Sequence, residues 1–172
     1  MKTKTLVILS LFVGIGAVLH TIVPGIFLGM KPDMMLTMMF LGILMFPKPN
    51  HIFLLGIVTG LISGITSTFP GGFLPNVVDK MLTAFIVYSL FVLIRRMVSP
   101  YIGALILTAI GTLISGSIFL STAALIVGLP GPFVGLFVSV VLPAAVVNTL
   151  AMMIIFPIVQ SIFKRTHIIE QV

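Results

Sequence analysis

The sequence predicts an all-α integral membrane protein, a compact bundle of six transmembrane helices with both termini in the cytoplasm. Three observations predict it. Of 172 residues, 59% are hydrophobic and only 7% charged, with a mean hydropathy of +1.35. A soluble domain carries about a quarter of its residues charged, so apolar surface on this scale needs a bilayer to face. The apolar residues also fall in continuous runs rather than alternating ones; this excludes a barrel and leaves helices, which satisfy their own backbone groups in lipid. Finally, the basic residues collect on alternate connections.

The helices are predicted near 5–23, 33–46, 52–68, 77–94, 101–127 and 133–163, all within one transmembrane domain spanning 1–172. The first follows Lys2 and Lys4 and continues past Gly16 to Val23 without a persuasive small-x-small cleavage site, so it reads as a retained helix rather than a secretory signal. The second is short against ~30 Å of hydrocarbon. The third carries Gly56, Gly60 and Gly64 at four-residue spacing, the pattern of a close packing seam. The fourth is announced by Pro75-Asn76 and Asp79-Lys80. The sixth is long enough to tilt or bend, with Pro143 and Pro157 each removing a backbone donor.

Six crossings put Lys2, Lys4, Lys48, Arg95, Arg96, Lys164 and Arg165 on one side, against Lys31 and Lys80 on the other. The positive-inside rule makes the richer side cytoplasmic. The outer connections, 24–32 and 69–76, are also the more elaborate ones, and function concentrates on such loops. The stretch Thr66 to Lys80 interrupts the apolar sequence with two prolines, paired glycines, an amide, a carboxylate and an ammonium. It is expected to wall a binding site for a small amphipathic molecule at the membrane surface.

Several function classes are disfavoured. The net charge of +6 is spread thinly, with no basic face interleaved with aromatics, so nucleic acid is not a partner. Without cysteine there is no disulfide, iron–sulfur cluster or thiolate zinc site, and His20, His51 and His167 lie too far apart in sequence to suggest a metal site. No Gly-x-x-x-x-Gly-Lys loop is present, so ATP by that motif must be used by a partner. No Ser-His-Asp or His-Glu-x-x-His grouping appears, which argues against an enzyme. The acidic residues Asp33, Asp79 and Glu170 all fall near predicted segment ends rather than at their middles, which argues against a self-sufficient ion-coupled pump.

The remaining polar residues each support two readings. Asp33 and Asp79, beside Lys31 and Lys80, read as helix N-caps with interfacial lysines, or as partners for the two ends of a zwitterion. Asn76 caps the fourth helix or reaches a ligand. Asn148 bonds a neighbouring helix or contacts a ligand, and His20 is an interfacial packing residue or a ligand contact. Met34, Met35, Met38 and Met39 form i, i+4 pairs that suit core packing, or an adaptable wall against an aromatic ligand.

Three stretches together resemble the bacterial tryptophan-uptake family, related to the substrate-binding S components of energy-coupling factor transporters. They are Gly16-Ala17-Val18-Leu19-His20 running on to Gly29-Met30-Lys31-Pro32-Asp33; Thr68-Phe69-Pro70-Gly71-Gly72 to Pro75-Asn76 and Asp79-Lys80; and Leu142-Pro143-Ala144-Ala145 to Asn148-Thr149. The resemblance covers nearly the whole chain. It implies outer-face ligand capture by the loops after the first and third helices. It also implies a transmembrane coupling subunit and two cytoplasmic ATPases as partners, docking on small residues of the first helix, here Ser10, Gly14 and Ala17. Phe73 departs from the polar residue expected after the paired small residues. The absence of tryptophan from the chain suits a tryptophan scavenger.

The resulting expectation is a multi-pass subunit of the bacterial cell membrane, not an enzyme and without its own cofactor or metal. It would bind a hydrophobic amino acid, above all L-tryptophan, through Asp79, Lys80, Asn76, Asp33, Lys31, Thr68, Phe69, Asn148 and His20. The alternative is a solitary facilitator or ion-coupled carrier of a small amphipathic solute; a membrane hydrolase and a non-binding scaffold subunit are weaker rivals.

Overall fold

The computed structural model describes residues 3–22 and 33–166. Every regular element among them is helical: α1 (Thr3–Ile22), α2 (Met34–Met45), α3 (Pro49–Ile65), α4 (Phe73–Ile94), α5 (Pro100–Ile126), α6 (Phe133–Leu136), a π-helical turn (Phe137–Val141) and α7 (Leu142–Arg165). Four stretches are long and apolar enough to cross a membrane: α1, α4, α5 and the continuous run Phe133–Arg165. The expected contact of Lys31 lies outside the described residues, as does the whole 24–32 connection.

Local chemistry fixes the helix starts. Asp33 caps α2 by accepting the Leu36 N–H at 3.0 Å. Pro49 and Pro100 open α3 and α5, where a missing N–H costs nothing. Ser99 also caps α5. The fourth helix begins four residues earlier than the sequence suggests, at Phe73. Pro75 falls in its first turn, where no intrahelical donor is required, so the proline that reads as loop is compatible with helix. Before it, Gly71 adopts φ +69° directly against Val127, where a Cβ would collide with that side chain. The 66–72 turn is thereby tied to the end of α5.

The centre of the structure is α2, all twelve of whose residues are buried. It packs against α1, α3, α4, α5 and α7, and at 1.5 Å per residue it is only ~18 Å long. Gly16 of α1 admits Met35 and Met38, and Gly111 of α5 admits the Phe40 ring. The four methionines are therefore packing residues. Along α3, the glycine ladder is a seam: a Cβ at Gly56 would meet Met81 Cα at 3.3 Å, one at Gly60 would meet Val77 Cα at 3.0 Å, and Gly64 lies beneath Phe73. Phe73 thus packs on α3, and it is absent from the cavity wall described below.

The two ends of the bundle differ. At one, Phe46 and Phe12 meet Phe163 with ring centroids 5.8 and 6.2 Å apart, and Tyr101 meets Phe156. Lys48, Arg95, Arg96, Lys164 and Arg165 flank these residues in sequence. At the other, the end of α1, the start of α2, the 66–72 turn and the last turns of α5 converge around a cavity. The continuous helix after Pro132 bends into this wall through its π turn, which ends just before Pro143. A proline ring clashes with the carbonyl four residues back, and the widened turn accommodates it.

Candidate functional site

Four helices contribute to one buried ion cluster. Lys80 Nζ lies 2.6 Å from Asp33 Oδ2 and 2.5 Å from Asp79 Oδ2. The α5 residue Ser115 donates to Asp79 Oδ2 at 2.8 Å, and Thr83, one turn along α4, donates to Asp79 Oδ1 at 2.8 Å. His20 Nδ1 stands 3.4 Å from Asp33 Oδ1 at the end of α1. Lys80 is 2% exposed and Asp79 0%, so neither reaches solvent by extending along the surface. Two carboxylates share one ammonium.

This geometry corrects the reading of Asp79 as an N-cap at the outer surface. Asp79 and Lys80 sit two turns inside α4, whose N-cap is Gly72. Lys80 serves both aspartates. Asp33 does cap its helix, and its second oxygen is the one that meets Lys80.

Beside the cluster lies a cavity of about 120 Å³, well above the roughly 10–15 Å³ that one water needs on the same measure. Its polar wall is His20, Asp33, Asn76, Asp79, Lys80 and Ser115; its apolar wall includes Leu36, Leu120, Val140, Val141 and Ala144. Phe69 and Phe119 cover one side as an edge-to-face pair with centroids 5.4 Å apart. The turn that carries Phe69 is pinned by its N–H to Ser67 Oγ (3.3 Å) and by Gly72 N–H to the Phe69 carbonyl (2.9 Å).

Of the residues expected at the site, His20, Asp33, Thr68, Phe69, Asn76, Asp79 and Lys80 line this one cavity. Asn76 is in the first turn of α4 rather than before it, and its amide donates back to the Gly72 carbonyl at 2.7 Å. Asn148 does not line the wall; its amide donates across helices to Thr112 Oγ1 at 3.3 Å. The expected partner surface divides. Ser10 and Gly14 are exposed, with nothing within 4 Å of a Cβ at Gly14, whereas Ala17 leans on the core. Sequence reasoning missed Ser115, Thr83, Thr112, Phe119 and the π turn. Thr83 was within reach, since an i, i+4 partner of Asp79 follows once the helix starts at Phe73. Ser115 and Phe119 join the site only through the packing of α5.

The family model described as "Tryptophan transporter TrpP" matches residues 2–164. The chain belongs to the TrpP family. A relative in Bacillus subtilis (strain 168), "Probable tryptophan transport protein", is 56% identical over 99% of this chain and 98% of its own length. Proteins with the same description in Clostridium acetobutylicum and Clostridium perfringens are 42% and 38% identical, over 94% and 98% of this chain and 94% and 97% of their own lengths. No solved structure matches the chain. This TrpP family member is thus a multi-pass protein of the bacterial membrane and one of a family of transporters rather than enzymes.

Proposed function

We propose that this chain is the high-affinity substrate-binding subunit of a tryptophan uptake system driven by an ATP-hydrolysing energy-coupling module. The observation that carries this reading is the buried Asp33–Lys80–Asp79 cluster opening on an otherwise apolar, aromatic-covered cavity. Such a site suits a zwitterion with a large apolar body: ligand pockets are mostly apolar with a few orienting polar groups. Asp79 and Asp33 hold the ammonium, Lys80 meets the carboxylate, and His20, Asn76 and Thr68 complete the polar wall. Phe69 and Phe119 cover the ring. Lys31 joins the outer face from the connection before Asp33. The descriptions of the three relatives favour tryptophan among such solutes.

The bundle crosses the membrane six times as one domain, with α2 and α3 completing the four long spans. The seven basic residues of the two terminal segments and of the 47–50 and 95–100 connections favour the Phe46–Phe163 end, and both termini, in the cytoplasm. The cavity then faces outward. A transmembrane coupling subunit and two cytoplasmic ATPases dock on α1 at Ser10 and Gly14, with Ala17 at the margin.

Titration of the detergent-purified protein tests the binding step. Because the chain has no tryptophan, the fluorescence of the ligand is read without background. Saturable binding is expected, with Asp79→Asn weakening it more than tenfold. Absence of saturation sinks the proposal; an unchanged Asp79→Asn titration removes that carboxylate from the site. A second reading, a solitary ion-coupled carrier, is favoured by one observation, the two carboxylates buried around a single ammonium beside His20. Uptake into liposomes holding this protein alone would select it; uptake only with the coupling subunit and ATPases selects the first.

A further inference from the structure

Thr112, which lines the cavity, is bonded by Asn148, which does not, and the ion cluster uses neither. Thr112, Ser115, Gly116, Phe119 and Leu120 form a single stripe of α5 along the cavity wall. Thr112 lies one turn from Ser115 on α5. Its hydroxyl proton goes to the Thr108 carbonyl at 2.8 Å. The Asn148 atom facing Thr112 Oγ1 at 3.3 Å must therefore be the amide nitrogen. That orientation leaves Asn148 Oδ1 buried with no hydrogen-bond partner, on a residue that is 0% exposed and one turn beyond Ala144. The Thr112 hydroxyl proton and one Asn148 N–H are committed, and the acceptor capacity left over is a lone pair on Thr112 Oγ1 and the orphan Oδ1.

Thr112 is the member of the pair that lines the cavity, and its spare hydroxyl lone pair can accept from a ligand donor. The indole N–H is a donor with no acceptor character. We infer that Thr112 accepts the hydrogen bond of the ligand's ring N–H, with Asn148 as the positioning residue that fixes its hydroxyl, so that this pair separates tryptophan from apolar amino acids of similar shape. This inference rests on the tryptophan reading of the site.

The experiment compares L-tryptophan with β-(3-benzothienyl)-L-alanine, in which sulfur replaces the ring N–H, by calorimetric titration of the full chain in detergent. Wild type is expected to prefer tryptophan by at least tenfold. Thr112→Val, which keeps the shape and removes the acceptor, is expected to bring that ratio close to one by weakening tryptophan alone; Thr112→Ser restores the preference. Equal binding of the two ligands by wild type overturns the inference without requiring any variant to fold, and leaves the tryptophan reading intact. A Thr112→Val protein that loses both ligands equally also overturns it. Binding of neither ligand by wild type defeats the tryptophan reading and the inference together.

Discussion

Removing Lys80 tests how the ion cluster is held. The ammonium is 2.6 Å from Asp33 and 2.5 Å from Asp79 and almost wholly inaccessible. Lys80→Met keeps most of the stem volume and strands two carboxylates in a low-dielectric interior. Breaking a buried pair by deleting one partner costs about 3–5 kcal/mol. The loss should stay in that range, because Asp79 retains donors from Ser115 and Thr83, and Asp33 retains the Leu36 N–H. For a chain of this length, 1 kcal/mol moves the midpoint by about 2–4 °C, so Lys80→Met should melt roughly 6–20 °C below wild type by these figures. The triple variant Asp33→Asn, Asp79→Asn, Lys80→Met removes the stranded charge and keeps an N-cap at position 33, so it should recover most of the loss. Neither variant should bind tryptophan. Thermal unfolding in detergent, followed by circular dichroism, reads the difference. A single variant that melts within about 2 °C of wild type, or a triple variant no more stable than the single, would refute the claim that these three groups form one compensated unit.

Other perturbations separate packing, site and partner. Gly60→Ala drives a methyl to 3.0 Å from Val77 Cα and 3.3 Å from its carbonyl, atoms that cannot rotate away, and should cost about 1–3 kcal/mol by thermal unfolding; Gly14→Ala, with open space around it, should be neutral or stabilising. Ser115→Ala removes one of the donors to Asp79 and should lower stability by about 1.5–3 kcal/mol, measured by the same melt. Phe119→Leu opens the edge-to-face cover with Phe69 and should weaken tryptophan by roughly tenfold, since an aromatic pair contributes about 0.5–1.5 kcal/mol beyond area. Gly14→Leu should leave tryptophan titration unchanged and stop uptake in cells, and normal uptake would remove α1 as the docking face.

The helical class and the positions of most segments were legible because continuous apolar runs admit few alternatives in lipid. Boundaries moved where proline was read as a breaker. Pro49 and Pro75 instead occupy first turns, and the fourth helix therefore absorbed residues assigned to a loop. The packing seam on α3 was legible too, because small residues at four-residue spacing bring backbones close whatever the rest of the fold. The identity of the seam's partner, α4, was not. The site residues were recognised by polarity in an apolar chain, while their pairing was invisible. Asp33 and Lys80 are far apart in sequence, and the neighbouring lysine offered the simpler partner.

The short second helix connects these points. Twelve residues give ~18 Å, too little to cross ~30 Å of hydrocarbon alone, and every one of them is buried among five other elements. Its N-terminus consequently meets the interior flank of α4 instead of water. The unpaired N–H groups there attract negative charge, which Asp33 supplies, and a buried carboxylate in turn needs a cation, which Lys80 supplies. Once Lys80 is drawn inward, Asp79 beside it is compensated as well, and Ser115 and Thr83 fill its remaining oxygen positions. The depth of the charge cluster therefore follows from the length of α2 and its capping residue. Both were visible in the sequence, yet they acquire this meaning only when the end of α2 is seen against the second turn of α4.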